Sequence, residues 1–121
     1  MAKKRYVQVN ELKPEMVEAY REAHETMHIG PWKEQLDVLK KAGAEECIVY
    51  LYKNYSILLY VCDDIHDSYA ALGEDDRRKP WDEFTAPMFM NSPKFDGTGE
   101  IECAEKIFDL KEQLQGKLTD F

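Results

Sequence analysis

"CIVYLYKNYSILLYVCD" (residues 47–63) decides the fold. Two β-rich runs, "CIVYLYK" and "SILLYVCD", flank Asn54-Tyr55, which reads as the turn of a hairpin. Side chains alternate across a strand, so Ile57, Leu59 and Val61 point one way and Leu58, Tyr60 and Cys62 the other. Both sets are apolar, and a strand apolar on both faces is covered on both. Helices supply one cover; the simplest second cover is the sheet of another subunit. Leu58 and Tyr60, left bare beside a strand carrying Ile48 and Tyr50, would form an association-prone patch. A homodimer is therefore expected.

Working outward, "KRYVQVN" alternates and predicts a first strand. "KPEMVEAYREAHETM" predicts a helix, with Pro14 where a first turn tolerates it and Met16, Tyr20, Ala23 and Met27 at helical spacing. Gly30-Pro31 ends it. "PWKEQLDVLKKAG" predicts a second helix with Trp32, Leu36 and Leu39 inward and a close at Gly43. Beyond the hairpin, "HDSYAALGEDDRRKPWDEFTAPMF" holds a short helix, a charged break over 73–79, and a second piece that Pro80 can start. "FDGTGE" reads as a loop and "IECAEKIFDL" as a last strand. In the C-terminal extension, 110–121, Leu110, Leu114 and Leu118 recur every four residues, which suits a short helix. The order β-α-α-β-β-α-β, its first two helices forming one broken crossover, predicts an α+β ferredoxin-like sheet with helices on one face. All of 1–121 is expected to be one domain.

A chain of 121 residues, 44% hydrophobic and 33% charged, has the length and balance of one globular domain. Its formal net charge of −8 argues against nucleic acid and anionic membrane as partners. "MAKKRY" is basic but leads into no apolar signal region, and no apolar run is long enough to span a bilayer. Cys47, Cys62 and Cys103 are odd in number and form no C-x-x-C pair. They read as reduced, mostly buried thiols of a cytoplasmic protein.

"HETMH" (residues 24–28) matches H-E-x-x-H, the helical zinc motif of metalloproteases. Catalytic zinc needs a third protein ligand, and none follows: His66 lies in another segment, and Gly30-Pro31 ends the helix just past His28. No metal site is expected. A stronger signal lies one turn upstream, where Tyr20 and His24, at i and i+4, stack on the face that carries Met16 and Ala23. His66, beside "CDD", reads as a solvated helix start.

Taken together, "YVQVN", "EAYREAH" with its Y-x-x-x-H pair, "WKEQLDVLKKAGA", "IVYLYKNYSILLYV", "PWDEFTAPM" and "EKIFDL" resemble the L-rhamnose mutarotase family in order and spacing, from about Tyr6 to Leu110. The resemblance implies a dimeric α/β barrel, two ferredoxin-like sheets face to face. It also implies exchange of the α and β anomers of L-rhamnose or a related (deoxy)hexose, without metal, nucleotide or other cofactor. On it, His24 is the proton donor and acceptor at the anomeric centre, Tyr20 orients the sugar, and Trp81 is an apolar platform for the ring. Trp32 and Tyr50 are possible pocket walls, though core packing suits each.

The sequence departs from the family in three places. The family histidine is followed at four residues by tryptophan; here His24 and Trp32 are eight apart, and His28 keeps the four-residue spacing. Only His24 has a tyrosine four residues before it, which favours His24 and leaves His28 as its rival. A sugar-contacting tyrosine aligns with Cys47, and the first of two adjacent tryptophans with Pro80, so the sugar preference has room to differ. Ferredoxin-like dimers also serve as cofactor-free oxygenases and as non-catalytic binding modules, and fold alone does not separate these.

Overall fold

The computed structural model describes residues 3–91 and 93–116. Its elements run β1 (Lys4–Glu11), α1 (Val17–Glu25), α2 (Glu34–Lys41), β2 (Glu46–Tyr52), β3 (Tyr55–Cys62), α3 (Ile65–Glu74), α4 (Arg78–Thr85) and α5 (Leu110–Leu114). Turns of 3-10 helix at Pro14–Met16 and Ala86–Met88 lead into α1 and follow α4. The result is a small α+β fold around a three-stranded antiparallel sheet of order β1-β3-β2.

The hairpin turn lies one residue earlier than its sequence suggested. Tyr52 pairs with Tyr55, so Lys53 and Asn54 make the turn, and Lys53 takes the left-handed conformation at φ 54°. Asn54 locks this turn to the end of β1. Its side-chain amide donates to Leu12 O at 3.0 Å and Glu11 Oε2 at 3.2 Å, and its carbonyl accepts from Leu12 N–H at 2.7 Å.

The helices cover one face of the sheet, the one carrying Tyr6, Leu58, Tyr60 and Cys62. Tyr60 and Cys62 are buried with Val38, Ile65, Tyr69 and Leu72. Tyr60 belongs inside because its hydroxyl has a buried chain of partners: it donates to Ser68 Oγ at 2.5 Å, which donates to Ala42 O at 2.7 Å. The sheet's bare side is therefore not the one bearing Leu58 and Tyr60, as expected from the sequence. It carries Val7, Val9, Ile57 and Leu59, with Ile48 and Tyr50 from β2. The two-sided apolar pattern holds, with the faces exchanged.

Three further expectations are revised. In α2 Gln35 and Val38 are buried and Leu39 packs half-buried against the core as expected, while Leu36 is 47% exposed. The helix begins at Glu34, so Trp32 sits in the preceding turn and cannot set the phase of the stripe. The "IECAEKIFDL" segment forms no strand. It runs beside β1 with one backbone bond, Ala104 N–H to Val7 O at 2.6 Å, and one from the Gln8 amide to Glu102 O at 3.0 Å. Its interior Glu, Ala and Lys have low strand preference, and of its apolar side chains Ile101 packs against the core while Ile107 and Phe108 stay exposed, Ile107 at 86%. At the C-terminus, α5 is a single capped turn whose Leu110 and Leu114 are exposed; Leu118 lies outside the described residues.

One close approach positions the site. A Cβ on Gly73 of α3 would lie 2.1 Å from Asp96 O, and one on Gly97 2.7 Å from Ala70 Cα. The bare glycines let the loop after α4 lie flat on α3. That loop delivers Phe95 against Tyr69 and Phe89, each with ring centroids 5.9 Å away.

Candidate functional site

A cavity of about 470 Å³ lies between the covered sheet face and the helices, within the ~300–1,000 Å³ of small-molecule sites. Tyr20 and His24 of α1, Trp81 of α4, and Cys47, Ser56 and Tyr60 of the sheet all line it. The structure thus brings together the three residues singled out by sequence.

Their arrangement follows from α1. One helical turn separates Tyr20 from His24, and the rings lie in contact with centroids 4.3 Å apart and planes tilted by 44°. Trp81 meets His24 edge-on at 5.2 Å. Tyr20 Oη pairs with Ser56 Oγ on β3 at 2.7 Å, which ties α1 to the sheet. His24 Nδ1 lies 2.7 Å from the Tyr20 carbonyl oxygen. A carbonyl can only accept, so Nδ1 carries the hydrogen and Nε2 is the basic nitrogen of the neutral ring.

Burial lowers the His24 pKa below the ordinary imidazole value; the bond to the Tyr20 carbonyl opposes this, and the positive charge of Arg78 adds to it. Burial raises the Tyr20 pKa, against the opposing bond to Ser56. At neutral pH the site thus presents a neutral imidazole beside a neutral phenol, a pair able to pass protons both ways. Cys47 opens onto the cavity, and desolvation holds its thiol pKa up, which disfavours a thiolate nucleophile.

Other candidates fall outside this group. Trp32 backs Trp81 at 5.4 Å and stacks on Phe84 at 4.9 Å, a half-buried support that does not line the cavity. Tyr50 is no pocket wall: it projects from the bare sheet face and is 57% exposed. Pro80 is exposed and off the cavity. His28 borders the cavity but sits in the turn after α1, which ends at Glu25, so it does not extend the face of Tyr20 and His24. His66 is solvated at the start of α3, behind the Asp64 cap. Among the described residues, no group of three or more His, Cys, Asp or Glu side chains is arranged to hold a metal ion.

Sequence reading missed Arg78. Within "DDRRKPW" it looked like part of a charged break, yet α4 begins there, and Arg78 is three residues before Trp81 on the same buried face. It is 9% exposed and lines the cavity. Its Nε lies 3.1 Å from Asp82 Oδ1, but neither atom has a well-formed hydrogen bond among the described residues. Burial raises the Asp82 pKa, and Arg78 opposes that shift.

A sequence profile described as L-rhamnose mutarotase matches residues 5–110. An L-rhamnose mutarotase of Ligilactobacillus salivarius (strain UCC118) is 30% identical over 87 residues, covering 71% of this chain and 80% of that protein. The crystal structure of an L-rhamnose mutarotase from Formosa agariphila superposes with a TM-score of 0.60 at 23% identity, covering 88% of this chain and 98% of that one, and shares the fold. A match spanning most of the chain, a relative of that identity and the His24-Tyr20 pair set over the cavity lead to one assignment: the chain belongs to the L-rhamnose mutarotase family.

Proposed function

We propose that this enzyme exchanges the α and β anomers of L-rhamnose, or of a closely related (deoxy)hexose, with His24 as its acid–base group. The observation that carries the role of His24 is its 2.7 Å bond to the Tyr20 carbonyl, which fixes the tautomer and leaves Nε2 basic. His24 Nε2 takes the proton of the anomeric hydroxyl, O1 becomes a carbonyl, and the bond from C1 to the ring oxygen breaks. The imidazolium then gives that proton to the ring oxygen. Both oxygens are bonded to C1, so one imidazole serves them in turn. The free aldehyde rotates about C1–C2, and the reverse steps close the ring on its other face. Tyr20 orients the sugar through its hydroxyl, and Trp81 offers an apolar wall to a C–H face of the ring. No electron transfer or covalent intermediate is involved.

The same reading makes the protein a homodimer through its bare sheet face. Val9, Tyr50, Tyr52 and Tyr55 are exposed there, beside half-buried Ile48, Ile57 and Leu59. Two such faces packed together would form the barrel and remove the patch from water. The three cysteines are free thiols, and against the expectation of mostly buried ones only Cys62 is buried while Cys47 and Cys103 are exposed. Unpaired thiols support a reducing, cytoplasmic setting. Among the described residues no helix is long and apolar enough to cross a membrane.

NMR saturation transfer between the anomeric protons of L-rhamnose and of a panel of aldoses tests the activity. Exchange above the buffer rate, fastest for L-rhamnose or a near relative, is expected. Exchange at the buffer rate for every sugar overturns the reading.

A further inference from the structure

We propose that Arg78 is a specificity-determining residue of this site, its guanidinium donating paired hydrogen bonds to two neighbouring hydroxyls of a neutral sugar. The inference rests on the mutarotase reading and adds a contact to it.

Arg78 stands in the wall between two cavities. One side faces the 470 Å³ cavity with His24 and Trp81; the other faces a second cavity of about 450 Å³, lined in part by Asp75, Lys79, Asp82 and Asp96. A guanidinium has five N–H donors in a planar fork, and burying them without acceptors is costly. Here the protein supplies little. Gln35 Oε1 accepts from Nη1 at a long 3.4 Å, and the approach of Asp82 to Nε lacks hydrogen-bond geometry. Most of the fork remains to be filled from the cavity, and adjacent hydroxyls on a pyranose match its spacing.

The charge balance points to a neutral ligand. Asp82, at 3.1 Å, already offsets the positive charge of Arg78, so a sugar carboxylate would meet both a neutralised cation and a nearby anion. Hydroxyl oxygens accept from the fork without adding charge. Arg78 lines the same cavity as Tyr20, His24 and Trp81, so a sugar bound there can meet the guanidinium and the imidazole together.

The test measures saturation kinetics of anomer exchange for wild type, Arg78→Met and Arg78→Lys, on the best neutral sugar, its monodeoxy analogues and the matching hexuronate. Arg78→Met is expected to raise KM about a hundredfold or more, as for two lost charge-assisted bonds, with a smaller change in kcat. Arg78→Lys keeps the charge without the fork and should recover only part of the loss. The Met penalty should shrink for the analogues that lack a held hydroxyl and persist for the rest. A uniform penalty across all analogues would show a purely structural role and overturn the proposal. So would faster wild-type exchange of the hexuronate than of the neutral sugar. Should Arg78→Met fail to fold, an unchanged KM in folded Arg78→Lys overturns it equally. Absence of wild-type exchange defeats the mutarotase reading and this inference with it, whereas normal exchange in both variants defeats this inference alone.

Discussion

His24 Nδ1 is held 2.7 Å from the backbone oxygen of Tyr20, the residue one helical turn before it, while the rings of the two touch at a 44° tilt with centroids 4.3 Å apart. The backbone bond sets the tautomer and, with the contact of the Tyr20 ring, holds the imidazole's orientation, so the basic nitrogen is positioned before any ligand arrives. Preorganisation of this kind spares the reaction a reorganisation step.

His24→Ala should slow enzyme-driven anomer exchange by about two to four powers of ten, the usual contribution of a positioned acid–base group. Tyr20→Phe should slow it several-fold, since one hydrogen bond to substrate is worth about 1 kcal/mol. It should also lower folding stability by a similar amount, because Tyr20 loses buried Ser56. His28→Ala, altering an exposed turn residue, should stay close to wild type. An essential His28 with a dispensable His24, read by saturation transfer, would move the site one turn along the chain.

The pH dependence follows from the depressed His24 pKa. With neutral His24 as the proposed base, kcat/KM should fall as pH drops through a pKa below 6.5. Stability has the same sign: in the unfolded chain His24 protonates at its ordinary pKa, so folding loses stability as pH falls through and below that value. NMR titration of the imidazole checks both. A pKa above 6.5 for His24 in the free enzyme would contradict the burial argument.

Charge on the bare sheet face should break the proposed dimer. Tyr50→Glu combined with Leu59→Asp places carboxylates on neighbouring strands of that face, and two copies would then oppose like charges across a dry interface. Light scattering should give twice the 14.2 kDa chain mass for wild type and the single mass for the variant. A wild-type monomer at micromolar concentration would refute the interface.

Gly73→Ala should destabilise the fold by about 1–3 kcal/mol, the range for overpacking, because its Cβ would meet the Asp96 carbonyl at 2.1 Å. Gly43→Ala is the comparison: its φ is +90° but no atom lies within 4 Å, so only backbone strain of about 1 kcal/mol is expected. Urea denaturation of both separates contact from strain.

Prolonged chelation should leave exchange unchanged. The proposed proton transfers use His24 and the sugar's own oxygens, and His24 and His28 do not share a helix. Exchange assayed after chelator treatment, with elemental analysis of the protein, checks this; stoichiometric zinc whose removal abolishes exchange would refute it.

Much of this protein is local in origin and was legible in its sequence. Alternation over 47–63 specified a hairpin apolar on both sides, and the spacing of Tyr20 and Ala23 specified α1 and set Tyr20 beside His24, although the helix ends at Glu25, before Met27 and the expected stop at Gly30-Pro31. These features depend on residues within a turn or two of each other, where backbone geometry alone decides who meets whom. Trp81 came from the family resemblance, since nothing local distinguishes a cavity tryptophan from a core one.

Which side of β3 faces the helices was decided only in three dimensions, because Leu58-Tyr60 and Ile57-Leu59 are equally apolar. The choice fell to the hydroxyl of Tyr60, which finds Ser68 and Ala42 on elements eight and eighteen residues away in sequence. The phase of α2 followed from where its first turn begins, and the missing fourth strand from how little apolar surface meets residues 101–109. Arg78 was hidden for the same reason. A charged residue in a charged run reads as solvated until the packing of α4 against α2 and α3 buries it, and burial is a property of the whole chain. Sequence periodicity determines which residues share a face; tertiary packing determines which face is closed to water, and the chemistry of the site depends on that closure.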